Sequence, residues 1–205
     1  MDRVALINKV KVRIDEISPL DTPIYNVGVA DDKPVDNIID SLLDECAVEI
    51  LLMAPFNRID VTQAATSVHI TQSNVNPTTG LIEVPDDFLR LVSLKMSDWQ
   101  RDVTELSIKG DELSRRQSNK FLRAGVSRPV GVLAKNDKGM YIEYYSTFEQ
   151  EHKLVDFSYI ARKTAEQIDN IQIIEAMCWL CASKVLTIFG KSGEAAYNNV
   201  QNLMV

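Results

Sequence analysis

Two changes of hydrophobic period divide the chain and constrain what it can fold into. Up to about residue 60 apolar residues recur every three or four positions, over the next hundred they alternate, and from Ala165 the helical spacing returns. Helices at both ends with strands between them imply an α+β fold, with N- and C-terminal helices packed as a bundle and a mainly antiparallel β region inserted. The expected division is a helical body from residues 1–60 and 162–205 and a β-rich insertion over residues 61–161.

Val4, Ile7, Val10, Ile14 and Ile17 predict an amphipathic helix from about Asp2 to Ile17, stopped by Ser18-Pro19. Leu20 to Ala30 has no clear period and reads as an ordered loop. Asp31 or Asp32 can cap a second helix, with Pro34 in its first turn and Val35, Ile38, Ile39, Leu42, Leu43, Cys46, Ala47, Ile50 and Leu51 on one face. Its other side carries Asp36, Asp40 and Asp44 at spacing four. That stripe is either a solvated face or a docking face for a basic partner. Near the end, Ile173, Met177, Leu180, Cys181, Val185, Ile188 and Phe189 form a further stripe, closed by Gly190, and a last short helix follows over about Ser192 to Met204.

Within the insertion, Val68 and Ile70 lead through an Asn-, Pro- and Gly-containing loop into Leu81 to Val84, a first hairpin. Pro85-Asp86-Asp87 then turns the chain, because proline removes a donor and aspartate bonds nearby backbone, and Phe88 and Leu89 drop into a core. Val92, Leu94 and Met96 alternate inward until Asp98-Trp99. Gly110 to Asn119 predicts a short helix with Leu113 inward, and Val130, Val132 and Ala134 run into Asn136-Asp137-Lys138-Gly139, the strongest hairpin turn in the sequence. With Val155, Phe157 and Tyr159 as the last strand, a sheet of five to seven strands is expected.

The net charge of -7 argues against a general nucleic-acid binder, since phosphate neutralisation needs surplus Lys and Arg. No apolar run approaches the roughly 20 residues of a membrane span, and no export segment opens the chain, so an intracellular protein is expected. Arg115, Arg116, Lys120, Arg123 and Arg128 follow one another without an acid, a local basic patch suited to a neighbouring subunit or to DNA. Paired with Asp36, Asp40 and Asp44, this patch suggests head-to-tail association. Trp99 is weighed between core packing and an interface anchor, and Arg90 with Trp99 are the outward contacts expected of the corner.

Catalytic patterns are weak. Cys178-Trp179-Leu180-Cys181 is a C-x-x-C inside an apolar helix, and the other ligand types, Cys46, His69 and His152, are scattered, so buried thiols are expected and no metal. Gly190-Lys191-Ser192 lacks the preceding glycine of a phosphate loop, where Val185 stands. Asp86-Asp87 suits a turn better than acid–base work. Neither a catalytic residue nor a cofactor is assigned.

The order of an apolar strand, the Pro85-Asp86-Asp87-Phe88-Leu89-Arg90 corner, a second strand, Trp99, Arg101 and Val103, then Arg128-Pro129 and Tyr144-Tyr145, resembles head-to-tail connector (adaptor) proteins of tailed bacterial viruses. The resemblance implies a structural virion protein, assembled in the host cytoplasm, that forms a ring, commonly of twelve copies. Such a ring would dock beneath the capsid portal protein, meet a downstream tail protein and continue the DNA channel without gripping DNA by sequence. The rival expectations are a non-catalytic scaffold subunit of another complex, or a small enzyme with a cryptic site near His69 or His152.

Overall fold

The computed structural model describes residues 1–17, 33–119, 121–137, 139–148 and 152–204. The expected loop over Leu20 to Ala30, the Asp31/Asp32 cap and Lys120 lie outside them. The chain is an α+β protein of two compact units, one built from residues 1–59 and 162–205, the other from residues 60–161.

The first unit contains α1 (Arg3–Ile17), α2 (Lys33–Met53), α4 (Ile171–Ile188) and α5 (Glu194–Met204), with 3-10 turns at Phe56–Arg58 and Ala165–Gln167. Helix α4 is the centre, contacted by α1, α2 and α5. It is 18 residues long with mean hydropathy 1.5, so by length and composition it would pass for a membrane span. Ten of its side chains are nevertheless buried, Ile173, Met177, Leu180 and Val185 among them, as expected of a core helix. Its start is capped by the Asn170 side chain, which accepts from the Gln172 and Ile173 amides. At its end Gly190 takes φ +72°, and the Lys191 amide donates to the Leu186 carbonyl at 2.9 Å, satisfying one of the last free carbonyls.

On α1 the buried face is Leu6, Val10 and Ile14, while Val4 is 62% exposed. The expected stripe was therefore rotated by part of a turn. Polar contacts account for the shift: Arg3, Lys9 and Arg13 all turn towards acids of α2 and α4, which orients the helix more strongly than Val4 does. On α2 the expected face is buried except for Ile38 and Leu42, which are half-buried at its margin.

The second unit holds eight strands among the described residues, in two sheets where one was expected. One sheet has the order β1 (Thr62–Gln63), β8 (Leu154–Ala161), β4 (Phe88–Met96). The other has the order β2 (Ile70–Gln72), β3 (Gly80–Glu83), β7 (Gly139–Tyr144), β6 (Gly131–Asn136), β5 (Leu106–Ile108). All pairs are antiparallel except β5 with β6. The β6–β7 hairpin closes where expected, with Asn136 opposite Gly139 and the Asn136 side chain accepting from the Gly139 amide at 3.1 Å.

Residues from both sheets share one apolar core that includes Ile82, Leu94, Met96, Ile142, Tyr144 and Phe157. Strand β4 departs from simple alternation. Its register shifts between Phe88 and Arg90, between Leu91 and Ser93, and between Lys95 and Met96. Each bulge changes the phase of the pleat, so Leu91 and Leu94 both face the core at spacing three and Val92 is only half-buried. At the corner the Phe88 amide donates to the Pro85 carbonyl at 3.0 Å, and the Tyr159 hydroxyl donates to Asp87 Oδ1 at 2.9 Å. Asp87 thus ties the turn to the neighbouring strand rather than bonding its own backbone.

Candidate interaction surface

Between β5 and β6 the chain makes α3 (Glu112–Gln117) and a compact loop whose construction is unusual for an exposed segment. Expectation placed Leu113 inward, yet Leu113 is 52% exposed and Gln117 is the buried residue, at 2%. Gln117 holds both ends of the loop: its Nε2 donates to the Leu113 carbonyl at 2.9 Å and its Oε1 accepts from the Ala124 amide at 3.0 Å. Arg123 adds a second strut. Its Nε donates to the Gln117 carbonyl at 2.8 Å, its Nη1 donates to Thr78 Oγ1 at 3.2 Å, and its guanidinium lies over the Tyr145 ring. The Asn119 side chain accepts from the Phe121 amide at 2.9 Å, and the Asn119 carbonyl accepts from the amides of Leu122 and Arg123.

The outcome of these bonds is an ordered tip that points two apolar side chains into solvent. Phe121 is 93% exposed and Leu122 61%. A large apolar pair held outward by a buried glutamine and a half-buried arginine is costly to present to water unless something covers it.

The charged residues sort themselves around this tip. Arg115 is exposed, with its Nε on the Gly110 carbonyl at 2.8 Å; Arg116 pairs with Glu112 one turn back; Arg128 is exposed. Arg123, expected as an outward contact, is instead a strut of the loop. The acidic stripe also changes meaning. Arg3 bonds Asp40 at 2.5 Å and Asp44 at 3.1 Å, Lys11 pairs with Asp36, and Asp44 also accepts from the Ala165 amide at 2.9 Å. Hydrogen bonding to Asp40 raises the Arg3 pKa further above its ordinary value, against the effect of burial. Asp36, Asp40 and Asp44 are therefore the seam between α1 and α2, committed within the chain.

The corner residues differ from expectation in the same sense. Trp99 is 3% exposed in the second unit's core, so it is a packing residue and not a surface anchor. Arg90 is half-buried, and burial lowers its pKa.

A second surface feature belongs to the first unit. An apolar groove of about 630 Å³ lies among α2, α4 and α5, walled by Leu42, Leu52, Met53, Leu180, Ile188 and Tyr197. Leu52, Met53 and Ile188 are each substantially exposed along it. On its edge Lys184 bridges Glu45 at 2.7 Å and Glu49 at 2.8 Å, so two carboxylates share one ammonium and the edge keeps a net negative charge.

Of the residues with catalytic potential, His152 is held by two hydroxyls, that of Tyr144 at its Nδ1, 2.6 Å, and Thr147 Oγ1 at its Nε2, 2.8 Å. Burial pushes the Tyr144 hydroxyl well above its ordinary pKa, with Asp98 adding to the effect. His69 is exposed on the approach to β2. Cys46, Cys178 and Cys181 are buried free thiols, and burial pushes Cys178 up to about 12. Among the described residues no group of His, Cys, Asp and Glu is arranged to hold a metal ion.

These two features define a two-unit α+β protein with a projecting apolar tip on one unit and an apolar groove on the other. No protein-family model matches the chain, and no curated protein matches it. Sequence reasoning missed both the tip and the groove. The signal for the tip was there: Phe121-Leu122 is an apolar pair with no period, set in a polar, basic stretch. For the groove there was none, because Leu42 and Ile188 lie on stripes that read as core.

Proposed function

We propose that the chain is a structural subunit that assembles head to tail into a ring, and that this ring is a connector between a viral capsid portal and a tail, continuing the DNA channel. The carrying observation is the preordered Phe121-Leu122 tip, an apolar feature built by buried hydrogen bonds on one unit while the other unit has an open apolar groove. Such unlike surfaces on one subunit favour heterologous contacts, which close into rings when the rotation permits. The corner at Pro85-Asp86-Asp87 and its resemblance to connector proteins support the specific version of this reading. The net charge of -7 supports a lumen that repels passing phosphates. The portal protein and the next tail protein are the partners this role requires, with DNA passing unread.

Negative-stain imaging of the purified protein, alone and with a portal ring, tests the reading. Rings with a central channel that stack coaxially on the portal are expected. Particles that never associate with the portal would refute the connector role.

A further inference from the structure

We infer that the Phe121-Leu122 tip of one copy seats in the α2–α4–α5 groove of the next copy, and that this contact is the anchor of head-to-tail assembly. The inference rests on the ring reading above and names the surfaces that make the ring.

The match is first one of polarity. The tip offers an aromatic and a branched apolar side chain, 93% and 61% exposed, and the groove offers Leu42, Leu52, Met53, Leu180, Ile188 and Tyr197 over about 630 Å³. That volume lies within the range of pockets that take up compact apolar groups, roughly 300–1,000 Å³. The match is also one of charge. Arg115 is exposed on α3, the helix that leads into the tip, with Arg116 beside it already paired with Glu112, and the groove edge has Glu45 and Glu49 sharing the single Lys184. An arginine approaching that edge meets a carboxylate pair that one ammonium leaves incompletely neutralised.

Pre-organisation makes the tip an effective anchor. Gln117, Asn119 and Arg123 already fix the loop, so docking orders little that was free and loses little conformational entropy. Aromatic residues entering a pocket and rimmed by arginine have the composition of interface hot spots. The expected basic patch thus keeps a role, but a different one. Arg115 rims the contact, Arg123 shapes it, and the acids that Arg115 meets are Glu45 and Glu49 rather than the stripe that α1 neutralises.

The contact can be read by linking two copies through Ser118, which precedes the tip, and Thr187, a polar residue of the groove wall. Ser118→Cys is made in isotopically labelled protein and Thr187→Cys in unlabelled protein; both residues are exposed, and the three native thiols are buried. The two are mixed and treated with a short bis-maleimide, and linked peptides are analysed by mass spectrometry. A Ser118→Cys to Thr187→Cys link joining one labelled and one unlabelled peptide is expected. Adding Phe121→Asp to the labelled copy should abolish it and weaken assembly at least tenfold, with the thermal melt unchanged. Rings that form without this link, or that form normally with Phe121→Asp, overturn the inference while leaving the ring intact. Wild-type protein that stays monomeric at every concentration overturns both the contact and the self-assembling ring, and its binding to a portal is then measured separately.

Discussion

Replacing Trp99 by alanine separates a core residue from an interface residue. The indole is 3% exposed and packs in the cluster with Met96 and Val103. An aromatic side chain of this kind buries about 150–250 Å², which at about 25 cal/mol per Å² sets an upper estimate of about 4–6 kcal/mol. Measured truncations of buried aromatics to alanine cost about 3–5 kcal/mol. Among the described residues the Trp99 Nε1 has no hydrogen-bond partner, so part of the native contribution is already offset by an unpaired donor. A loss of about 3 kcal/mol is therefore expected for Trp99→Ala, and a much smaller one for Trp99→Phe, which removes the unpaired N–H and keeps an aromatic ring. Urea unfolding followed by far-UV circular dichroism measures both. If Trp99→Ala unfolds within about 1 kcal/mol of wild type and instead impairs assembly, the indole is an interface anchor and the packing argument is wrong.

Three further outcomes follow from particular contacts. A Cβ on Gly80 would collide with the Tyr144 hydroxyl and its ring carbon and lie 2.6 Å from the Thr71 carbonyl, so Gly80→Ala should cost about 1–3 kcal/mol by overpacking; an unchanged melting temperature would contradict this. Burial disfavours the charge of Glu175, but hydrogen bonds from Lys9 and Arg13 outweigh it and hold its carboxyl below the ordinary range. A depressed carboxyl stabilises the fold above its unfolded pKa of about 4.3 and loses that contribution as pH falls through the folded value, so the stability gap between wild type and Glu175→Gln should narrow below about pH 5; a constant gap counts against the ion pairs. Gln117→Ala removes two bonds that shape the tip and should raise amide exchange at residues 121–124 with the rest of the second unit unaffected, and unchanged exchange there would show the loop is held by other means.

The helical elements were legible because a 3.6 period survives in the residue order. The long stripe of α2 maps onto buried positions almost residue for residue. Strand β4 was harder, since its bulges reset the alternation and nothing local marks where they fall. The parallel pairing of β5 with β6 joins segments separated by α3 and its loop, and non-local pairing leaves no trace in a window of sequence. The same limit misplaced the charges. Asp40 reads as a solvated acid until Arg3, thirty-seven positions away, is seen to bond it. At the tip, a polar residue was the core contact and an apolar pair the exposed one, the inverse of the pattern that periodicity arguments assume.

Self-assembly is most directly tested by the mass of the species in solution, measured by native mass spectrometry or mass photometry across a concentration series. The account predicts a dominant closed species at one integer multiple of the 23.0 kDa chain, twelve if the copy number of the resembling connectors carries over, and its loss with Phe121→Asp. A 23.0 kDa particle at every concentration, or an open-ended ladder of sizes with no preferred closure, would contradict it.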